Sequence, residues 1–196
     1  MNVAVHYVKW LLNLAAAETQ TTESERACLA SHARGRTRLV EIGVWHGVTT
    51  ARLRAAMDPA GELSAVDPYP VGRLGFSMQR RIARREVGRV RGGRVRWIRT
   101  TGASAALGHG PVDFVFIDGD HSAEGLLGDW HAWSGLVDAG GIIALHDSRS
   151  TAERRIDDAG SVRVTNDVIL RDPRFDLVEA VDSLTVVRRR GGPASR

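Results

Sequence analysis

Among the 196 residues Cys28 is the only cysteine, so no intrachain disulfide can form, and a reducing compartment, the cytoplasm, is the expectation. Cys28 itself reads as a small buried hydrophobe within a helix. Lys9 is the only lysine, and aromatic residues make up just 6% of the chain, too few to build a base-stacking platform beside the arginines. No apolar run is long enough to span a bilayer. The stretch from Met1 to Ala17 is apolar, but Asn13 interrupts it and its lysine sits mid-segment rather than ahead of it, unlike a signal peptide. Val8, Leu11, Leu12 and Ala15 fall at helical spacing, which predicts an amphipathic helix packing that stripe on the domain. Repeats and internal low-complexity linkers are also missing, which leaves a single domain over 36–190, preceded by helices in 1–35 expected to cap its ligand and followed by a loose tail at 191–196.

What is present is a globular composition, 43% hydrophobic and 26% charged. The net charge is +4 and the pI near 10.1. That excess is arginine spread along the chain, dense only from Arg73 to Arg96, where a solvated helical face is a simpler account than a nucleic-acid patch.

Strands and helices alternate. Thr22-Glu23-Ser24-Glu25 has the capping-box spacing and opens a helix through Ala30. Apolar strands follow at Arg38 to Ile42, Glu62 to Val66, Val95 to Arg99, Val112 to Ile117 and Gly141 to Leu145. Helices are expected between them, at Thr49 to Met57, Ser77 to Val87, Ala103 to Leu107 and Ala123 to Leu136. This order demands right-handed crossovers and a mainly parallel sheet. Phe175 to Val181 and Leu184 to Arg188 are separated only by Asp182 and Ser183, which demands an antiparallel hairpin. The predicted class is therefore α/β, a three-layer Rossmann-like fold with a seven-stranded, mostly parallel sheet closed by that hairpin.

The first strand runs into a loop in which Gly43 and Gly47 let the backbone turn tightly and approach a ligand. The pattern is neither G-x-G-x-x-G nor a P-loop, because no lysine follows Gly47. Glu41 would repel a phosphate and suits a cationic ligand, such as the sulfonium and amino groups of S-adenosylmethionine. Asp67, at the end of the second strand, can accept both hydroxyls of a ribose, or it can cap the turn before Pro68. His46 is either a ligand contact or an ordinary loop residue.

Four segments carry a resemblance: Glu41-Ile-Gly43-x-x-x-Gly47-x-Thr49-Thr50, Val66-Asp67-Pro68, Phe116-Ile117-Asp118-Gly119-Asp120-His121-Ser122, and Gly140-Gly141-Ile-Ile-Ala-Leu145-His146-Asp147. Together they resemble class I S-adenosylmethionine-dependent methyltransferases, in particular the small-domain group that includes macrolide-sugar and rhamnosyl O-methyltransferases and cephalosporin-biosynthesis methyltransferases. The resemblance implies that Glu41, Gly43, Gly47, Thr49 and Asp118 line the cofactor, that Asp67 holds its ribose, and that Ser104 lies near the adenine.

Ligands of open parallel sheets sit outside the carboxyl ends of the strands, and two such ends are crowded here. If the fourth and fifth strands are adjacent, Asp118, Asp147 and His146 converge on one divalent cation, magnesium or manganese, able to make a bound hydroxyl more acidic. His121 is the candidate general base, with Asp118 as its catalytic neighbour. The resembling sugar enzymes carry two acids, or an acid and an amide, where this chain has His146-Asp147. A borderline ion such as manganese or zinc, a substrate role for His146, or a site without metal are the alternatives that departure opens. Asp120 is equally a loop cap, and Trp130, His131 and Trp133 are assigned no role. The expected acceptor is a hydroxyl of a small molecule, a sugar or other secondary metabolite. Neither nucleic acid nor a membrane is an expected partner, and a homo-oligomer is compatible with so short a chain. An RNA or protein methyltransferase on the same fold, or a nucleoside-cofactor-binding protein without catalysis, are the competing readings.

Overall fold

A computed structural model describes residues 3–73 and 75–191. Two helices come first, α1 (Val3–Leu11) and α2 (Glu23–Ala33). The alternating body follows: β1 (Arg38–Ile42), α3 (Val48–Ala56), β2 (Glu62–Val66), α4 (Met78–Gly88), β3 (Arg94–Ile98), α5 (Gly102–Ala106), β4 (Val112–Ile117), α6 (Ala123–Trp133) and β5 (Val137–Leu145). Helix α7 (Gly160–Asp167) precedes the hairpin of β6 (Phe175–Val181) and β7 (Leu184–Arg189).

The seven strands lie in the order β3-β2-β1-β4-β5-β7-β6, with β7 antiparallel to both of its neighbours. The central strands are apolar on both faces because helices cover both sides. Val115, Ile117, Ile143 and Leu145 point to the side covered by α5, α6 and α7, where Trp130 and Trp133 fill the layer. Phe114, Phe116, Ile142 and Ala144 point to the other side, against α2 and α3. Cys28 is buried in that second layer, which pushes its thiol up to about 12 and makes it inert packing.

Thr22 caps α2 as expected: its hydroxyl accepts from the Glu25 amide and Glu25 returns a bond to the Thr22 amide. The structure departs from expectation in three places. In α1 the residues turned inward are His6, Tyr7 and Trp10, while Val8, Leu11 and Leu12 face solvent. Rings bury more area than short aliphatics, and the inward turn also lets Trp10 Nε1 donate to Glu86 Oε1 at 2.9 Å. Strand β5 begins at Val137, running through Gly140 and Gly141 across a register shift opposite Val112 and Phe114, and α6 stops at Trp133. Helix α7 has no counterpart in the sequence reading, because Gly160-Ser-Val-Arg-Val-Thr-Asn-Asp167 is short and rich in β-branched residues.

Candidate active site

The carboxyl ends of β1, β2, β3 and β4 open into one cavity of about 770 Å³, within the range of small-molecule sites. Its remaining walls are α6 and the loop residues Glu18, Thr19 and Gln20 that join α1 to α2.

Gly43 has a φ of +84°, and a Cβ there would sit on the carbonyl oxygen of Asp118, so β1 and β4 approach closely only because the side chain is absent. Gly47, with a φ of +75°, starts α3 and lies against the backbone of Ala83 in α4. Asp67 organises the same loop. Its Oδ2 accepts from the Val44 and Trp45 amides at 3.1 and 3.0 Å, and its Oδ1 accepts from the Tyr69 amide at 2.8 Å. One carboxylate therefore fixes both the β1 and the β2 loops while still lining the cavity. Thr49 also lines the cavity, its hydroxyl 3.2 Å from that of Thr21.

Glu41 is buried beneath this loop, and its Oε2 has no hydrogen-bond partner. Burial pushes its carboxyl well above the usual range; the Thr50 hydroxyl pulls the other way, and the charges of Asp118 and Asp67 add to the rise.

Ser104 is a correction. It is exposed, its hydroxyl accepts from Thr101 Oγ1 at 2.9 Å, and it is not in the cavity wall. Thr101 caps α5 and turns Ser104 outward, so Thr101, Gly102 and Ala103 face the ligand instead. Asp129, which the sequence reading passed over, lies behind them. Burial pushes its carboxyl up to about 6, against a hydrogen bond from the Ala103 amide and with a smaller push from Asp120. Its spacing from Gly125 and Gly128 on α6 was the available signal, since all three face the cavity.

Beside the cavity, behind Asp118 and His121 of its wall, the expected residues meet. His146 Nδ1 lies 2.7 Å from Asp118 Oδ1, and His121 Nε2 is 3.7 Å from Asp118 Oδ1 and 3.9 Å from Asp147 Oδ2. His146 is buried, with Nε2 3.4 Å from Glu25 Oε2. Burial alone would lower the imidazole pKa, but the carboxylates of Asp118 and Glu25 outweigh it and raise it to about 10. Burial likewise works to raise Glu25, yet its hydrogen bonds from His146, Ser183 and the Thr22 amide hold it at about 2. Glu25 gave no sign of this in the sequence, where it reads only as half of a capping box. Asp120 accepts from the Ser122 amide at 2.9 Å and acts as a loop cap.

The three expected metal ligands do not form a magnesium site. Asp147 has a φ of +49° and gives its Oδ1 to Arg154 Nη1 at 2.5 Å. Asp118 in turn faces His146 through Oδ1, so neither carboxylate is uncommitted, whereas magnesium wants several oxygens. Among the described residues, Asp118, His121 and His146 each bring a ligand atom within 4.8 Å of the others. His146 faces Asp118 through Nδ1 and Glu25 through Nε2 and is held protonated by them, so it would have to lose a proton before this set could take up a borderline ion such as manganese or zinc. Glu25 stands behind His146 as the acid that orients a ligating imidazole. Helix α7 joins the two loops from behind: the Ser161 amide donates to the His121 carbonyl at 3.0 Å, and its hydroxyl donates to the Asp147 carbonyl at 2.6 Å.

Residues 40–148 match the model of a family described as a methyltransferase domain. No curated protein matches the chain. Among solved structures, cofactor-bound Rv0187 from MTB is similar with a TM-score of 0.73 and 19% identity, over 98% of this chain and 91% of that one. The O-methyltransferase TomG from Streptomyces achromogenes, in complex with SAM, gives 0.66 and 15% over 97% and 91%. The O-methyltransferase from Bacillus cereus, in complex with SAH, gives 0.62 and 18% over 95% and 89%. At these identities the likeness carries the fold.

Proposed function

The chain belongs to the methyltransferase-domain family, and from that footing we propose that it transfers a methyl group from S-adenosylmethionine to a hydroxyl of a small molecule, a sugar or other secondary metabolite. The observation that carries this reading is the unpartnered carboxyl oxygen of Glu41, buried at the wall of the cavity into which Asp118 and His121 also open. A bound S-adenosylmethionine supplies a methyl group activated by its sulfonium charge. Glu41 would face that cationic end, the loop fixed by Asp67 would hold the nucleoside, and Thr101 to Ala103 with Asp129 would border the adenine. The similar O-methyltransferases from Streptomyces achromogenes and Bacillus cereus, in complex with SAM and SAH, support such an occupant.

His121, its side chain 37% exposed and facing Asp118 and Asp147, is placed to take the proton from an acceptor oxygen, and those carboxylates would stabilise the imidazolium that results. Where a divalent ion is used, Asp118, His121 and His146 would hold it, and it would supply Lewis acidity toward the hydroxyl. In that case the proton would leave to water rather than to a ligating His121. Isothermal titration with S-adenosylmethionine and S-adenosylhomocysteine, with and without EDTA, tests the reading. Micromolar binding, about −8 kcal/mol, is expected. Absence of heat with either ligand would refute it.

A further inference from the structure

Helix α1 carries apolar side chains on its exposed side as well as on its buried one, with Lys9 among the exposed residues. Tyr7 and Trp10 face Ile82 of α4, while Val5, Val8 and Leu12 on the opposite side are 48%, 52% and 62% exposed. Asn13 then turns with a φ of +58° and leaves Leu14 73% exposed. Aliphatic side chains exposed side by side, rather than singly, mark a surface that meets an apolar partner. Residues 3–17 also contain no aspartate or glutamate. Beside them α4 presents Arg81, Arg84 and Arg85, of which Arg81 lies 3.9 Å over the Phe76 ring and Arg85 5.3 Å over that of Trp10. Among the described residues the ion pair on this helix is Arg89 with Glu86, and those three guanidinium groups have no carboxylate.

We propose that the outer face of α1 and the adjoining arginines form a peripheral docking surface for an anionic lipid bilayer. The exposed aliphatic side chains would enter the headgroup boundary, and the guanidinium groups, already held against aromatic rings, would meet lipid phosphates. This is contact with a surface and not a span, since no helix among the described residues is long and apolar enough to cross a membrane. Charge selects lipid over a second copy of the chain. A two-fold pairing through α1 would gather Lys9 and the α4 arginines of both copies with no acid of residues 3–17 to offset them, whereas an anionic bilayer complements both features at once.

Co-sedimentation of the full chain tests this, with vesicles of phosphatidylcholine alone and of phosphatidylcholine mixed equally with phosphatidylglycerol. The expected result is at least about tenfold stronger partition onto the anionic vesicles, lost at high salt. The double substitutions Val8→Glu/Leu12→Glu and Arg84→Ala/Arg85→Ala should each abolish most of that partition while S-adenosylhomocysteine affinity and the circular dichroism spectrum stay unchanged. Failure of the unmodified chain to bind anionic vesicles overturns the proposal, as does equal binding to neutral ones. Light scattering that finds a dimer which Val8→Glu/Leu12→Glu converts to monomer also overturns it, by making the face an interface between copies.

Discussion

Glu25 and His146 form a buried ion pair, Oε2 to Nε2 at 3.4 Å, that ties the N-terminal helix α2 to the catalytic end of β5. The same carboxylate accepts from the amide and hydroxyl of Ser183 at 2.9 and 2.7 Å, so α2, β5 and the β6–β7 turn share one acid. The helices that precede the matched domain thus hold part of its active site in place.

The pair predicts a pH window. His146 is raised to about 10, so its contribution is fully present below its ordinary value of 6.5 and is lost as pH rises through 10. Glu25 is lowered to about 2, so its contribution is present above 4.5 and is lost as pH falls through 2. Melting temperature should plateau between those ordinary values and fall on either side. Glu25→Gln should cost about 1–3 kcal/mol in urea unfolding at neutral pH and flatten the alkaline decline; an unaltered profile would separate the two residues energetically.

Gly43→Ala should destabilise the fold by about 2–5 kcal/mol, since a left-handed φ and a collision with backbone add together. A change in unfolding midpoint under half a kilocalorie, on the order of measurement error in such extrapolations, would mean that β1 and β4 can part freely.

For Asp67→Ala, three backbone amides lose their acceptor and the cofactor loop loses its shape. S-adenosylhomocysteine affinity should fall about tenfold or more in calorimetry, with circular dichroism of the folded protein retained.

His121→Ala should lower turnover about 100- to 10,000-fold with an acceptor in hand, while cofactor affinity stays within error. Unchanged turnover would move the base elsewhere.

Asp129 has its carboxyl raised to about 6, so its effect on folding is most favourable below its ordinary value of 3.8 and is lost as pH rises through 6. Asp129→Asn should therefore gain on the parent by about 1 kcal/mol at pH 8 and gain little at pH 4, read from unfolding at the two pH values.

The sheet was legible because its central strands are buried on both faces and therefore spell out as unbroken apolar runs, Val112 to Ile117 above all. The hairpin was legible because Asp182 and Ser183 leave no other connection. Asp118, His121, His146 and Asp147 could be grouped in advance, since adjacent parallel strands bring their ends together. What could not be read depends on contacts that no local pattern encodes. Glu25 looks like an ordinary cap until β5 arrives beside it, and Arg154 covers Asp147 from a loop with no motif. Ser104 was misplaced by a fraction of a helical turn, since Thr101 takes the capping position. In α1 periodicity marked the aliphatic stripe of Val8, Leu11 and Leu12, and the side that is buried is the aromatic one.

Ser161 bonds to the carbonyls of both His121 and Asp147, so the chain from Asp147 to Ser161 returns to its own starting point before going on. A segment anchored at its root in this way can lengthen or shorten at an entropic cost that grows only with the logarithm of its size. Residues 149–159 can therefore change in length without moving the two ends that Ser161 holds, so long as Arg154 keeps its place beside Asp147.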